Sequence, residues 1–172
     1  MLFAVWLLSG ASSARADIWD AGKGTYLPFG LTASYLRLHE GDDKVRTGKL
    51  GLELSWVEYD SAWWGGYADV AYDFAGERVW MTAGPEFGLF SIGLDAGFVY
   101  VLDKGRDDMG FRVRFVVSVF ENDGQMHPDR HRVREYFKSS TILLTLGGGA
   151  LLRNEPQRFL ELGALFKLKN ER

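Results

Sequence analysis

The chain contains no cysteine, which excludes a disulfide framework, a thiolate nucleophile and a Cys-type zinc site. It also lacks a charge excess. Lys and Arg total 20 against 23 Asp and Glu, for a formal net charge of −3, so the strongly basic surface of a nucleic-acid binder is missing and no nucleic-acid partner is expected. No run of about 20 apolar residues occurs, which rules out a helical membrane span. No glycine-rich phosphate loop leads from a strand into a helix, so nucleotide binding has no support. At 172 residues the chain suffices for one domain and is too short for two ordinary ones.

What is present points to β-structure. There are 21 glycines, 15% of residues are aromatic, and the mean hydropathy is −0.12. Such a combination suits strands that are apolar on one face only. At the front, Leu2 to Leu8 form a short apolar stretch, followed by small residues ending in Ala14-Arg15-Ala16. This is the pattern of a cleaved secretory signal, and the stretch is too short to span a bilayer. No Lys or Arg precedes it, and a first β-strand is the competing reading. The expectation is a signal peptide over 1–16, an exported protein starting at Asp17, and one barrel domain over 17–172.

Period-2 alternation dominates the remainder. Leu50, Leu52, Leu54 and Trp56 share one face, and so do Ala62, Trp64, Ala68, Val70, Tyr72 and Phe74. The pattern continues through Val79, Met81, Ala83, Phe87 and Leu89, and through Ile92, Leu94, Ala96, Phe98, Tyr100 and Leu102. Phe111, Val113, Phe115, Val117 and Val119 follow it, as do Leu160, Leu162, Ala164, Phe166 and Leu168. Residues 29–39 and 139–152 read as two further strands with apolar residues on both faces, the second interrupted by Gly147-Gly148-Gly149. Breaks such as Glu40 to Lys44, Tyr59 to Ser61 and Asp103 to Met109 read as turns. Strands joined this tightly must be antiparallel. The prediction is an all-β fold: a closed antiparallel up-and-down barrel of about eight strands.

Charges occupy the face opposite the large apolar residues: Glu53, Asp69, Glu86, Asp95, Arg112, Arg114 and Glu161, all near mid-strand. A soluble barrel would point them at water, and a membrane barrel would pair them in a narrow interior. The strands are long for a soluble sheet. The charged face is also crowded with small residues (Gly51, Gly65, Gly84, Gly88, Gly93, Gly97, Gly163), as a cramped interior requires. The membrane reading is therefore preferred. On this alternation and charge placement the chain resembles the small eight-stranded outer-membrane barrels of Gram-negative bacteria, of the OmpA-transmembrane-domain and OmpX type. The resemblance implies a bacterial outer-membrane location, lipids as partners, a monomer, and an interior plugged by paired charges rather than an open pore. Two features depart from that family. Phe166 in the last strand is followed by Lys167 to Arg172, and residues 121–138 break the rule of short periplasmic turns.

Few constellations suggest chemistry. His127 and His131 flank Asp129, but no third ligand stands at a recognisable spacing, so no metal or other cofactor is expected. Residues 122–138 carry Arg130, Arg132 and Arg134, placed to touch lipid phosphates. Strand parity puts this segment on the periplasmic side if both termini are periplasmic. His39 and Asp73 end their strands at one rim, yet no serine stands beside them and no nucleophile–base–orienter set is visible. The preferred function is a structural or surface-interaction barrel of unknown protein partner. A lipid A-modifying enzyme and a soluble lipocalin-like ligand-binding barrel are the alternatives.

Overall fold

The computed structural model describes residues 24–40, 43–60, 62–89, 91–105, 107–123, 139–152 and 156–169. The expected signal peptide over 1–16, the pair His127 and His131, and Arg130, Arg132 and Arg134 lie outside the described residues. Every regular element described is a strand: β1 (Gly24–Tyr26), β2 (Phe29–Glu40), β3 (Asp43–Asp60), β4 (Ala62–Asp73), β5 (Arg78–Leu89), β6 (Ile92–Leu102), β7 (Asp108–Asp123), β8 (Ser139–Leu151) and β9 (Gln157–Lys169). Consecutive strands from β2 to β9 pair antiparallel, and β9 pairs back onto β2. The expected closed eight-strand barrel is thus the fold, with one extra short strand.

That extra strand is a continuation of β2. Tyr26 opposes Val57 and Phe29 opposes Leu54, so β1 and β2 run along β3 in a single register. Pro28 interrupts them because its nitrogen has no hydrogen to donate, while its carbonyl still accepts a bond from Ser55 N at 2.9 Å.

The registers also fix the barrel's shape. Following cross-strand partners from Phe29 through Leu54, Ala68, Ala83, Phe98, Phe111, Ala150 and Arg158 returns to β2 at His39, ten residues beyond the start. A ten-residue stagger over eight strands tilts them by about 40° and leaves a lumen that side chains can fill. At that tilt ten residues rise about 25 Å, the height of an apolar membrane band.

Strands extend beyond the apolar residues that announce them. β3 begins at Asp43, where the sequence reads as a turn, because hydrogen bonding continues into a polar hairpin: His39 opposes Lys44 and Glu40 opposes Asp43. β7 likewise reaches Asp123, and a bulge between Ser118 and Phe120 leaves Val119 without a partner. The hairpins β2–β3, β4–β5, β6–β7 and β8–β9 share one end of the barrel. β7 ends and β8 begins at the other end, with the start of β1 and the end of β9.

Candidate functional site

The outer wall is apolar. Leu52, Leu54, Val70, Phe98 and Phe115 all point outward and are exposed, Phe98 by 83%. Aromatic side chains gather toward both ends of this wall. Trp56 and Trp64 meet edge to face at 5.7 Å near the β3–β4 connection, and Tyr72 and Phe74 do so at 5.4 Å near the hairpin end.

The lumen is polar at mid-height. Glu53, Asp69, Glu86, Asp95, Arg112, Arg114 and Glu161 are all buried there, and Lys49 and Lys167 join them. Sequence reasoning had not counted these two lysines among the interior charges. Strand parity carried the signal, since Lys49 shares a face with Glu53, and Lys167 with Glu161.

Register explains the need for cations. Glu53 lies directly opposite Asp69, and Glu86 opposite Asp95, arrangements that repel unless a positive charge intervenes. The cations reach across the lumen. Arg114 Nε donates to Asp95 Oδ2 at 2.7 Å and its Nη2 to Glu53 Oε2 at 2.6 Å. Lys167 Nζ lies 2.8 Å from Glu53 Oε1 and donates to Glu86 Oε2 at 3.2 Å and to Ser55 Oγ at 2.8 Å. Arg112 pairs with Asp69 and stands 3.7 Å from Glu161 Oε2, which Lys49 Nζ approaches at 3.0 Å. The Tyr67 ring sits beside both guanidinium groups, 5.6 Å from Arg112 and 5.2 Å from Arg114. These contacts tie β3, β4, β5, β6, β7 and β9 together through the middle.

Glycine makes the room. On β8 the cross-strand partners of Arg112 and Arg114 are Gly149 and Gly147, and on β6 Arg112 faces Gly97. A Cβ at Gly149 would collide with the Phe111 carbonyl and crowd Phe159. In the triple-glycine run of β8, Gly149 thus marks a close approach of the β7 backbone and the Phe159 ring.

Apolar side chains close the lumen toward the hairpin end. Leu36, Leu38, Trp80, Val99, Val101, Leu151 and Phe159 form one buried cluster. Trp80 meets Phe159 edge to face at 5.3 Å, and Lys49 Nζ lies 4.7 Å from the Trp80 ring centroid. Toward the other end the Trp63 indole occupies the space beside Gly88 and Gly93, where any Cβ would overlap it.

The two rim candidates, Asp73 and His39, take opposite faces of the wall. Asp73 faces inward and is held by Thr47 Oγ1 at 2.5 Å, Gly76 N at 3.1 Å and Arg78 Nη2 at 3.0 Å. His39 alternates with inward-facing Leu38 and so sits on the outer face. Among the described residues no three His, Asp or Glu side chains converge as metal ligands would.

No family model matches the chain, and no curated protein matches it either. Among solved structures it is similar to Neisserial surface protein A, with a TM-score of 0.55 at 11% identity over 86% of this chain and 100% of that one. A second similar structure is Ail, the attachment invasion locus protein of Yersinia pestis, in complex with the heparin analogue sucrose octasulfate (TM-score 0.45, 12% identity, 86% of this chain and 100% of that one). At 11% identity the first likeness concerns the fold. In architecture the chain is a small eight-stranded barrel of the outer-membrane type.

Proposed function

We propose that this protein is an exported outer-membrane barrel with a structural or surface-interaction role, its lumen filled by paired charges rather than open as a pore. The observation that carries the reading is the inversion of the usual soluble pattern: large apolar side chains cover the outer wall while, among the described residues, twelve charged ones are buried inside, nine of them at mid-height. An exposed apolar band encircling a protein needs lipid to cover it. A soluble ligand-binding barrel would present the opposite faces. Five acids against four cations in the mid-height group leave little net charge, and the apolar cluster around Trp80 together with the Trp63 indole supports a filled rather than open interior.

The test is to fold the mature chain into detergent micelles and lipid vesicles. A closed membrane barrel migrates differently on gels before and after boiling, and planar bilayers that carry it show no steady conductance. Recovery as a soluble monomer without detergent would overturn the membrane reading, and a stable ion current would overturn the plugged lumen.

A further inference from the structure

Five basic residues stand together on the outer wall at the hairpin end. Arg37 and His39 lie on β2, Lys44 and Arg46 on β3, and Arg158 on β9. Arg37 and His39 alternate with Leu36 and Leu38, whose side chains fill the lumen, so both belong to the outer face. The registers set Arg37 directly opposite Arg46, and His39 between Lys44 and Arg158. Like charges directly opposite on neighbouring strands destabilise a sheet, so stability alone does not account for this grouping.

The rest of that rim is arranged differently. Lys104 pairs with Glu77, Arg78 with Asp73, and Tyr100 donates to Asp107. Among the described residues none of the five basic side chains has an acidic partner, and Arg37 Nε is buried without any hydrogen-bond acceptor. Glu40 and Asp43 oppose each other where β2 ends and β3 begins.

Immediately below the basic group the same wall turns apolar. Tyr35 lies across from Gly48 on one side and Leu162 on the other, and Leu160 and Leu50 are exposed beside it. Unpaired cations set directly above a flat apolar surface match one class of molecule, an amphiphile with an anionic head.

We infer that the β9–β2–β3 wall binds a phosphate-bearing membrane lipid. Arg37, Arg46 and Arg158 engage the phosphate, His39 and Lys44 flank it, and the acyl chains lie against Tyr35, Leu160 and Leu162. Arginine suits the role because its planar fork gives paired hydrogen bonds to phosphate oxygens. This inference rests on the membrane-barrel reading above.

The test uses the full mature barrel folded in phosphatidylcholine bicelles, as wild type, as Arg37→Gln/Arg46→Gln, and as Lys104→Gln, a control on the balanced part of the rim. Each is titrated with bisphosphorylated lipid A and, separately, with inorganic pyrophosphate. Wild type and Lys104→Gln should bind lipid A alike, with a rise in the urea midpoint. The double variant should bind about thirtyfold more weakly and, without anionic lipid, be at least as stable as wild type, since its like-charge pair is gone. Pyrophosphate should produce no comparable rise. If the double variant does not fold, Arg158→Gln carries the same prediction with a smaller loss. Equal lipid A binding by wild type and variants overturns the site, and an equal effect of pyrophosphate overturns the lipid as its occupant. Failure of the wild type to give a heat-shifting barrel in bicelles would instead overturn the membrane reading, so the two failures are distinct.

Discussion

Replacing Arg114 by methionine removes the cation that holds two acids at once, while keeping an unbranched side chain of similar reach. Of the two acids, Glu53 retains Lys167 at 2.8 Å. Asp95 retains no cation among the described residues, and its Oδ1 already lacks a hydrogen-bond partner. A buried carboxylate left in that state costs about 3–5 kcal/mol, well beyond the net worth of the original pair. Asp95→Asn should cost less, because Arg114 then still pairs with Glu53. The double variant Arg114→Met/Asp95→Asn should be more stable than the sum of the two losses implies, by about 1–3 kcal/mol. Urea unfolding of vesicle-embedded protein, followed by tryptophan fluorescence and by mobility of the unboiled form, reads all four species. If Arg114→Met stays within about 0.5 kcal/mol of wild type, as a surface substitution would, the lumen is hydrated and the pairing argument fails.

Three further outcomes are expected. Phe98→Arg places a charge on the outer wall and should destabilise the vesicle-embedded barrel by about 2–4 kcal/mol if the site lies near the midplane; an unchanged urea midpoint would place that wall in water. Trp80→Ala empties the centre of the apolar cluster at the hairpin end and should cost about 3–5 kcal/mol, read in the same assay. N-terminal sequencing of the exported protein should begin at Asp17, and a retained Met1 would show that residues 1–16 are not a cleaved signal.

Much of this architecture was legible as alternation. Strands such as β4 and β6 show one consistently apolar outer face, and Asp69 and Asp95 on the opposite face mark the side that turns to the lumen. The pattern failed where the lumen itself turns apolar. Leu36 and Leu38 made β2 look two-faced because they belong to the cluster around Trp80, not to the outer wall. β8 looked apolar on both sides for a related reason: Leu151 joins that cluster, while Gly149 marks a close approach to the Phe111 carbonyl and the Phe159 ring rather than a break in the strand. Lys167 escaped notice because it stands near the end of β9, where a lysine ordinarily signals solvent, and its long side chain reaches back into the lumen; Lys49 did so because the alternation is clear only from Leu50 onward, whereas β3 begins at Asp43. The basic group around Arg37 was invisible for a different reason. Its members are spread over three strands, and only the closing β9–β2 register brings Arg158 beside His39.

The central claim is that the outer wall meets lipid and the lumen excludes it. Two tryptophans test it directly, because Trp64 is 54% exposed on the outer wall and Trp80 is 1% exposed inside. Variants that keep one tryptophan each, with the others changed to phenylalanine, should be folded into vesicles of lipid brominated on the acyl chains. The account predicts strong quenching of Trp64 by the brominated lipid, little quenching of Trp80, and little effect of aqueous iodide on either. Quenching of Trp64 by iodide but not by brominated lipid would contradict it.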